Sequence, residues 1–70
     1  MIDAVKTGRK LKEAQLKNGI SVQKIADQLY VSKIAVYKWF RGEQLPSLDN
    51  LYELSKLLNF KIDDILEEAT

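Results

Sequence analysis

The chain has 70 residues, 11 Lys and Arg against 10 Asp and Glu, and no cysteine or histidine, which excludes disulfide staples, thiol chemistry and His-containing zinc sites. A chain this short is expected to form one small domain over residues 1–70, burying only about 60% of its unfolded surface, and no run approaches the roughly 18 apolar residues of a membrane span. Without His, Cys or a Gly-rich phosphate loop, the expectation is a cytoplasmic binding module, not an enzyme, with no cofactor and no metal.

After a short tail, a first helix is expected over about residues 3–17, with Val5, Gly8, Leu11 and Ala14 or Gln15 inward and Arg9, Lys10, Lys12 and Lys17 outward. Asn18-Gly19 ends it, since glycine suits the left-handed position past a helix C-terminus. Ser21 N-caps a second helix over about 22–29, whose Ile25, Ala26 and Leu29 share one side. Tyr30 and Val31 interrupt that pattern, and Ser32 caps a third helix over about 33–41, closed by Gly42. Residues 43–46 form a loop. Ser47 then caps a fourth helix with Asp49 in its first turn and Leu48, Leu51, Leu54 and Leu58 as its inward stripe. Asn59-Phe60 makes the next turn, and a last helix over about 62–68 opens with Asp63 and Asp64, where acids favour a helix dipole. There is no strand pattern, repeat or linker. The expected fold is all-α, a compact bundle of five short helices.

The third helix has two faces. At about 100° per residue, Lys33, Ile34, Tyr37, Lys38 and Arg41 fall within an arc of roughly 140°, while Val36, Trp39 and Phe40 lie opposite as the core face. A buried stripe backed by a cationic, partly aromatic outer stripe suits an anionic, shaped partner. The net charge of +1 conceals a division: residues 1–42 hold nine Lys and Arg against three acids, and residues 43–70 hold two Lys against seven acids, +6 against −5. An ordinary solvated surface would scatter the signs more evenly, so the first part is read as the one that meets a polyanion. Helix starts agree. Lys24 and Lys33 occupy first-turn positions where a cation is disfavoured by roughly 0.3–1 kcal/mol, and a phosphate at those N-termini would satisfy open backbone N–H groups and neutralise both lysines. Two solvated lysines at tolerated positions is the plainer alternative.

From about Thr7 to Leu66 the chain resembles the helix-turn-helix family of phage repressors, Cro proteins and their small bacterial relatives (the Xre type). The resemblance rests on Gly8 and Leu11, Gly19-Ile20-Ser21, Ile25-Ala26 with Leu29, Val31-Ser32, Val36, Trp39, Gly42 and Leu45-Pro46-Ser47, then Leu51, Leu54, Leu58 and Ile62-Asp63-Asp64-Ile65-Leu66. It implies that the third helix enters the major groove of double-stranded DNA and that the chain is a small transcriptional regulator, expected to be a repressor. Lys33, Ile34 and Lys38 match the family's base-reading positions, with Tyr37 between them on the same face. Lysine can donate to guanine O6 and N7, and Ile34 can pack on a thymine methyl; packing of Ile34 against the second helix or a partner chain is the alternative. Gln23, Lys24, Ser32 and Arg41 are the expected contacts to the DNA backbone, although capping alone would account for Ser32. Trp39 is read as core.

Five positions depart from the family pattern. Val22 stands where the best-known repressors have a Gln that meets a phosphate, leaving that contact to Gln23. Gln15 and Phe40 together replace an Arg–Glu pair, a coherent exchange because losing one partner alone is the costly change. Tyr30 holds the turn position usually given to Gly, and Lys61 that of a capping Ser or Thr. A weak homodimer is expected through the fourth and fifth helices, with Leu57, Phe60, Ile62, Ile65 and Leu66 as its surface, on half-sites about 34 Å apart; filling of the monomer core by these residues is the alternative. A second functional reading is a protein-interaction module such as an antitoxin or anti-repressor, which need not keep Lys33, Lys38 and Arg41 on one face.

Overall fold

Serine side chains start three of the helices. Ser21, Ser32 and Ser47 hold extended backbone and accept hydrogen bonds from the N–H groups of Lys24, Ala35 and Asn50 at 3.1, 3.1 and 3.2 Å, each satisfying one donor that a helix start leaves open. Asp3 does the same for Lys6 at 3.0 Å. In the computed structural model, which describes residues 1–66, these caps open α1 (Ala4–Lys17), α2 (Val22–Leu29), α3 (Lys33–Arg41) and α4 (Leu48–Leu57); α5 (Ile62–Ile65) follows Lys61, which makes no side-chain cap bond. The first four helices run into left-handed residues. Gly19 and Gly42 have φ of 64° and 77°, and Tyr30 and Asn59 each have φ of 56°.

The core lies where all five helices meet. Leu11, Ile25, Val36, Leu54 and Leu58 are almost entirely sealed, joined by Ala26, Leu29, Trp39, Leu51 and Ile65. Helix α1 packs along α3, α2 against α3 and α4, and α5 against α1 and α4. The α1–α3 approach is so close that backbone replaces side chains there. A Cβ on Gly8 would lie 2.7 Å from the Phe40 carbonyl oxygen, and one on Gly42 would lie 2.5 Å from the Val5 Cα. The radius of gyration is 10.8 Å, against about 11 Å for a compact domain of this length, so the expected bundle of five helices is the observed fold.

Four expectations are corrected. Val5 is 52% exposed, not inward: its backbone meets Gly42, which turns its side chain to water. Leu48 is 75% exposed, because it is the first residue of α4 and overhangs the core that Leu51, Leu54 and Leu58 fill. Helix α5 stops at Ile65, where Leu66 turns extended; a single turn with no cap has little to propagate it. The rest of the expected run to 68 lies outside the described residues. Ile65, expected at a dimer surface, belongs to the core at 5% exposure, while Leu57, Phe60, Ile62 and Leu66 are half-buried against that core.

Side-chain amides complete the frame. Asn18 Nδ2 donates to the Ala14 carbonyl at 2.7 Å and to the Leu58 carbonyl at 2.6 Å, tying the end of α1 to the end of α4. Gln15, freed of the family's ion pair, donates to the Ile20 carbonyl, and Phe40 packs half-buried at the core edge.

Candidate nucleic-acid interface

Helix α3 is gripped by one face. Val36 is fully buried and Trp39 nearly so, with α1 on one side and α2 on the other, so the opposite face is held rigidly towards solvent. That face carries Lys33, Ile34, Tyr37, Lys38 and Arg41, all exposed. Ile34 is 66% exposed and does not pack into α2, so an apolar side chain able to pack on a base methyl stands in water between cations. Tyr37 is 45% exposed, and its ring meets Phe40 edge-on with centroids 6.4 Å apart, which fixes the ring while leaving its outer edge and hydroxyl open.

The cations differ in their surroundings. Among the described residues, Lys24, Lys33 and Lys38 make no ion pair within 4 Å. Arg41 is paired: its Nε donates to Glu43 Oε2. That hydrogen bond, strengthened by the opposite charges, raises the Arg41 pKa and lowers that of Glu43, and the nearby Lys38 charge lowers Glu43 further. Arg41 is therefore on the expected face but already engaged. Gln23 is engaged as well, donating to Asp27 Oδ1 at 2.8 Å.

The two helix starts are arranged as anion seats. Neither α2 nor α3 has an acid in its first turn, unlike α4 with Asp49 and α5 with Asp63 and Asp64. Beyond the single donor that each serine caps, the N–H groups of Val22 and Gln23 on α2, and of Lys33 and Ile34 on α3, have no acceptor among the described residues. Ser32 uses its hydroxyl oxygen as acceptor, which leaves its O–H to donate. Lysines beside open N–H groups attract an anion twice over, by charge and by dipole.

Glu43, the partner of Arg41, is weakly signalled by the sequence. Its sequence signal is an acid two positions past a cation, across the glycine that closes a helix. A shallow groove between α2 and α4 is lined by Gln28, Leu29, Glu53, Lys56 and Leu57, none of them on α3. Among the described residues no cluster of acids is placed to hold a metal ion, and no helix is long and apolar enough to cross a membrane.

Comparison with known proteins gives the same frame. Residues 11–65 match the family model described as helix-turn-helix. The chain is 33% identical over 57 residues to the HTH-type transcriptional activator BcrR of Enterococcus faecalis, covering 81% of this chain but only 28% of that protein. Among solved structures it is similar to the restriction-modification controller protein C.AhdI of Aeromonas hydrophila, with 27% identity, 90% of this chain and 96% of that one covered, and a TM-score of 0.79. The DNA-binding domain of BldD from S. venezulae shares the fold at 20% identity and a TM-score of 0.74, over 91% of this chain and 96% of that one. The match extends over most of the chain and includes the Ser21 and Ser32 caps, the turn between α2 and α3 and the exposed helix α3: the chain belongs to the helix-turn-helix family.

Proposed function

We propose that the chain is a sequence-specific double-stranded DNA-binding transcriptional regulator that reads the major groove with α3. One observation carries the reading: α3 is locked into the core by Val36 and Trp39 while Lys33, Ile34, Tyr37 and Lys38 stand exposed together on its other face. A helix about 10–12 Å across fits the groove, and its rigid seating fixes which side chains reach which base edges. Lys33 and Lys38 donate to guanine, Ile34 meets a thymine methyl, and Tyr37 contacts a base edge or phosphate. Lys24, Gln23, Ser32 and Arg41 face the phosphates, with the open N–H groups of α2 and α3 beside them. The work is binding rather than catalysis, and its place is the cytoplasm, with the DNA.

Binding to a two-fold site calls for two copies, and we place their contact at the acidic α4–α5 side, on the half-buried Leu57, Phe60, Ile62 and Leu66. The family resemblance implies repression, whereas the E. faecalis relative is an activator; transcription from a template carrying the selected site decides the sign. The antitoxin or anti-repressor reading draws no support from the comparisons.

The test is titration of duplex DNA over a range of salt. Affinity should fall with a log–log slope of about −0.9 per phosphate neutralised. A chain that ignores duplex DNA at low salt, or binds it without salt dependence, overturns the reading.

A further inference from the structure

The helix that faces outward is followed at once by an acid, and the backbone fixes where that acid stands. Gly42 adopts φ of 77°, its N–H donates to the Trp39 carbonyl at 3.2 Å, and the N–H of Glu43 donates to the Lys38 carbonyl at 3.0 Å. This is a Schellman closure, and it folds residue 43 back over the last turn of α3. The closure is itself pinned, because Gly42 lies against the Val5 backbone with no room for a Cβ. Glu43 is thereby held beside Arg41, whose Nε it accepts from, and within the field of Lys38.

We propose that Glu43 is a positioning residue that holds Arg41 off the DNA backbone until a phosphate arrives in hydrogen-bonding register, and so limits binding to arbitrary sequence. The proposal rests on the DNA-binding reading above. A loosely placed phosphate offers Arg41 attraction through water but no bond to replace the one it would lose, and it must also approach the Glu43 carboxylate. A phosphate seated by the correct docking of α3 offers the guanidinium charge-assisted hydrogen bonds of the same kind. Exchange is then even, and Arg41 transfers. Non-specific binding depends almost wholly on phosphate contacts, so withholding one cation weakens it most.

The experiment measures affinity for a short duplex of mixed random sequence, against salt, for the natural chain, Glu43→Gln, Arg41→Gln, the double variant, and Glu13→Gln, which removes the same charge from α1. All three side chains are exposed, so the fold should be unaffected. Glu43→Gln should bind about tenfold tighter at low salt with a slope steeper by about 0.9, one further phosphate. In the Arg41→Gln background the gain should shrink to that of Glu13→Gln. Equal gains from Glu43→Gln and Glu13→Gln, or a gain that survives Arg41→Gln, would overturn the proposal by reducing it to net charge. Failure of every variant to bind the duplex would instead overturn the DNA-binding reading.

Discussion

Gly8 of α1 faces the carbonyl oxygens of Trp39 and Phe40 at the end of α3 with no space for a methyl group: an added Cβ would stand 2.7 Å from the Phe40 oxygen. Both sides of this contact are backbone, so neither can swing away. Gly8→Ala gains about 1 kcal/mol of helix propensity but must push two helices apart, an overpacking that costs about 1–3 kcal/mol or more. Because both groups that must move are backbone, the upper part of that cost applies, and the expected outcome is a net loss of about 1–2 kcal/mol in urea unfolding, together with weaker duplex binding, since α3 is the element displaced. Unchanged stability would mean that α1 and α3 are not in backbone contact.

Tyr30 offers the opposite case. It closes α2 at φ of 56° and ψ of 43° with its side chain 95% exposed, so it bears the cost of a left-handed residue, about 1–2 kcal/mol, without burial in return. Tyr30→Gly removes that strain and loses about 0.4–1 kcal/mol to the greater freedom of the unfolded chain. A net stabilisation of about 0.5–1 kcal/mol should follow, raising the midpoint of thermal unfolding by several degrees. A destabilised variant would show that the tyrosine ring is held by contacts of its own.

Much of this was legible in the sequence, and the exceptions share a cause. Ser21, Ser32, Ser47, Gly19 and Gly42 act locally, so their capping roles follow from their neighbours alone, and the outward stripe of α3 follows from helical spacing. Val5 and Leu48 obey the same periodicity yet lie in water, because they sit in first turns that reach past the core. Periodicity gives a direction and says nothing about whether a neighbour is there. The Arg41–Glu43 pair depends on the chain reversing at Gly42, and the Asn18–Leu58 bond joins residues 40 apart; both exist only once the helices are assembled. Ile65 fell on the wrong side for the same reason, since the need of the core for a residue from α5 appears only when α1 and α4 are in place.

The two bonds of the Asn18 side chain require a donor. Its amide donates to the carbonyls of Ala14 and Leu58, so Asn18→Ala should cost about 1–2 kcal/mol. Asn18→Asp is nearly isosteric but an ionised carboxylate only accepts; facing two carbonyl oxygens, it should cost more than alanine at neutral pH. Urea unfolding of both variants checks this order, and an aspartate as stable as asparagine would rule out the double donation.

Base reading and backbone contact separate on paired duplexes. Lys38→Ala should cost about 1–3 kcal/mol on a site selected from a random pool and relax preference at one base pair. Lys24→Ala at the start of α2 should weaken selected and random duplexes about equally and reduce the salt slope by about one. Equal losses on both duplexes for Lys38→Ala would move that residue to the phosphate contacts.

The proposed dimer surface consists of residues that are half-covered. Leu57, Phe60, Ile62 and Leu66 each pack against the core while keeping part of their surface in water, so each serves the monomer and leaves an apolar edge for a second copy. The neighbouring acids Glu53, Asp63 and Asp64 would face their own copies across a two-fold axis, and Glu53 is neutralised only in part by Lys56 at 3.3 Å. Association should therefore be weak in dilute buffer and stronger at higher salt, which screens the repulsion, while DNA binding itself weakens with salt. These opposite dependences separate the two equilibria. Leu57→Glu and Phe60→Glu test the contact, with folding followed by circular dichroism and half-site cooperativity by titration of one-site and two-site duplexes. Retained helix content with lost cooperativity places the residue at the interface, and unfolding places it in the core. Ile65→Glu, at a position already 95% covered in the single chain by its 5% exposure, should unfold the domain outright. A folded, cooperative Phe60→Glu variant would exclude α5 from the contact between copies.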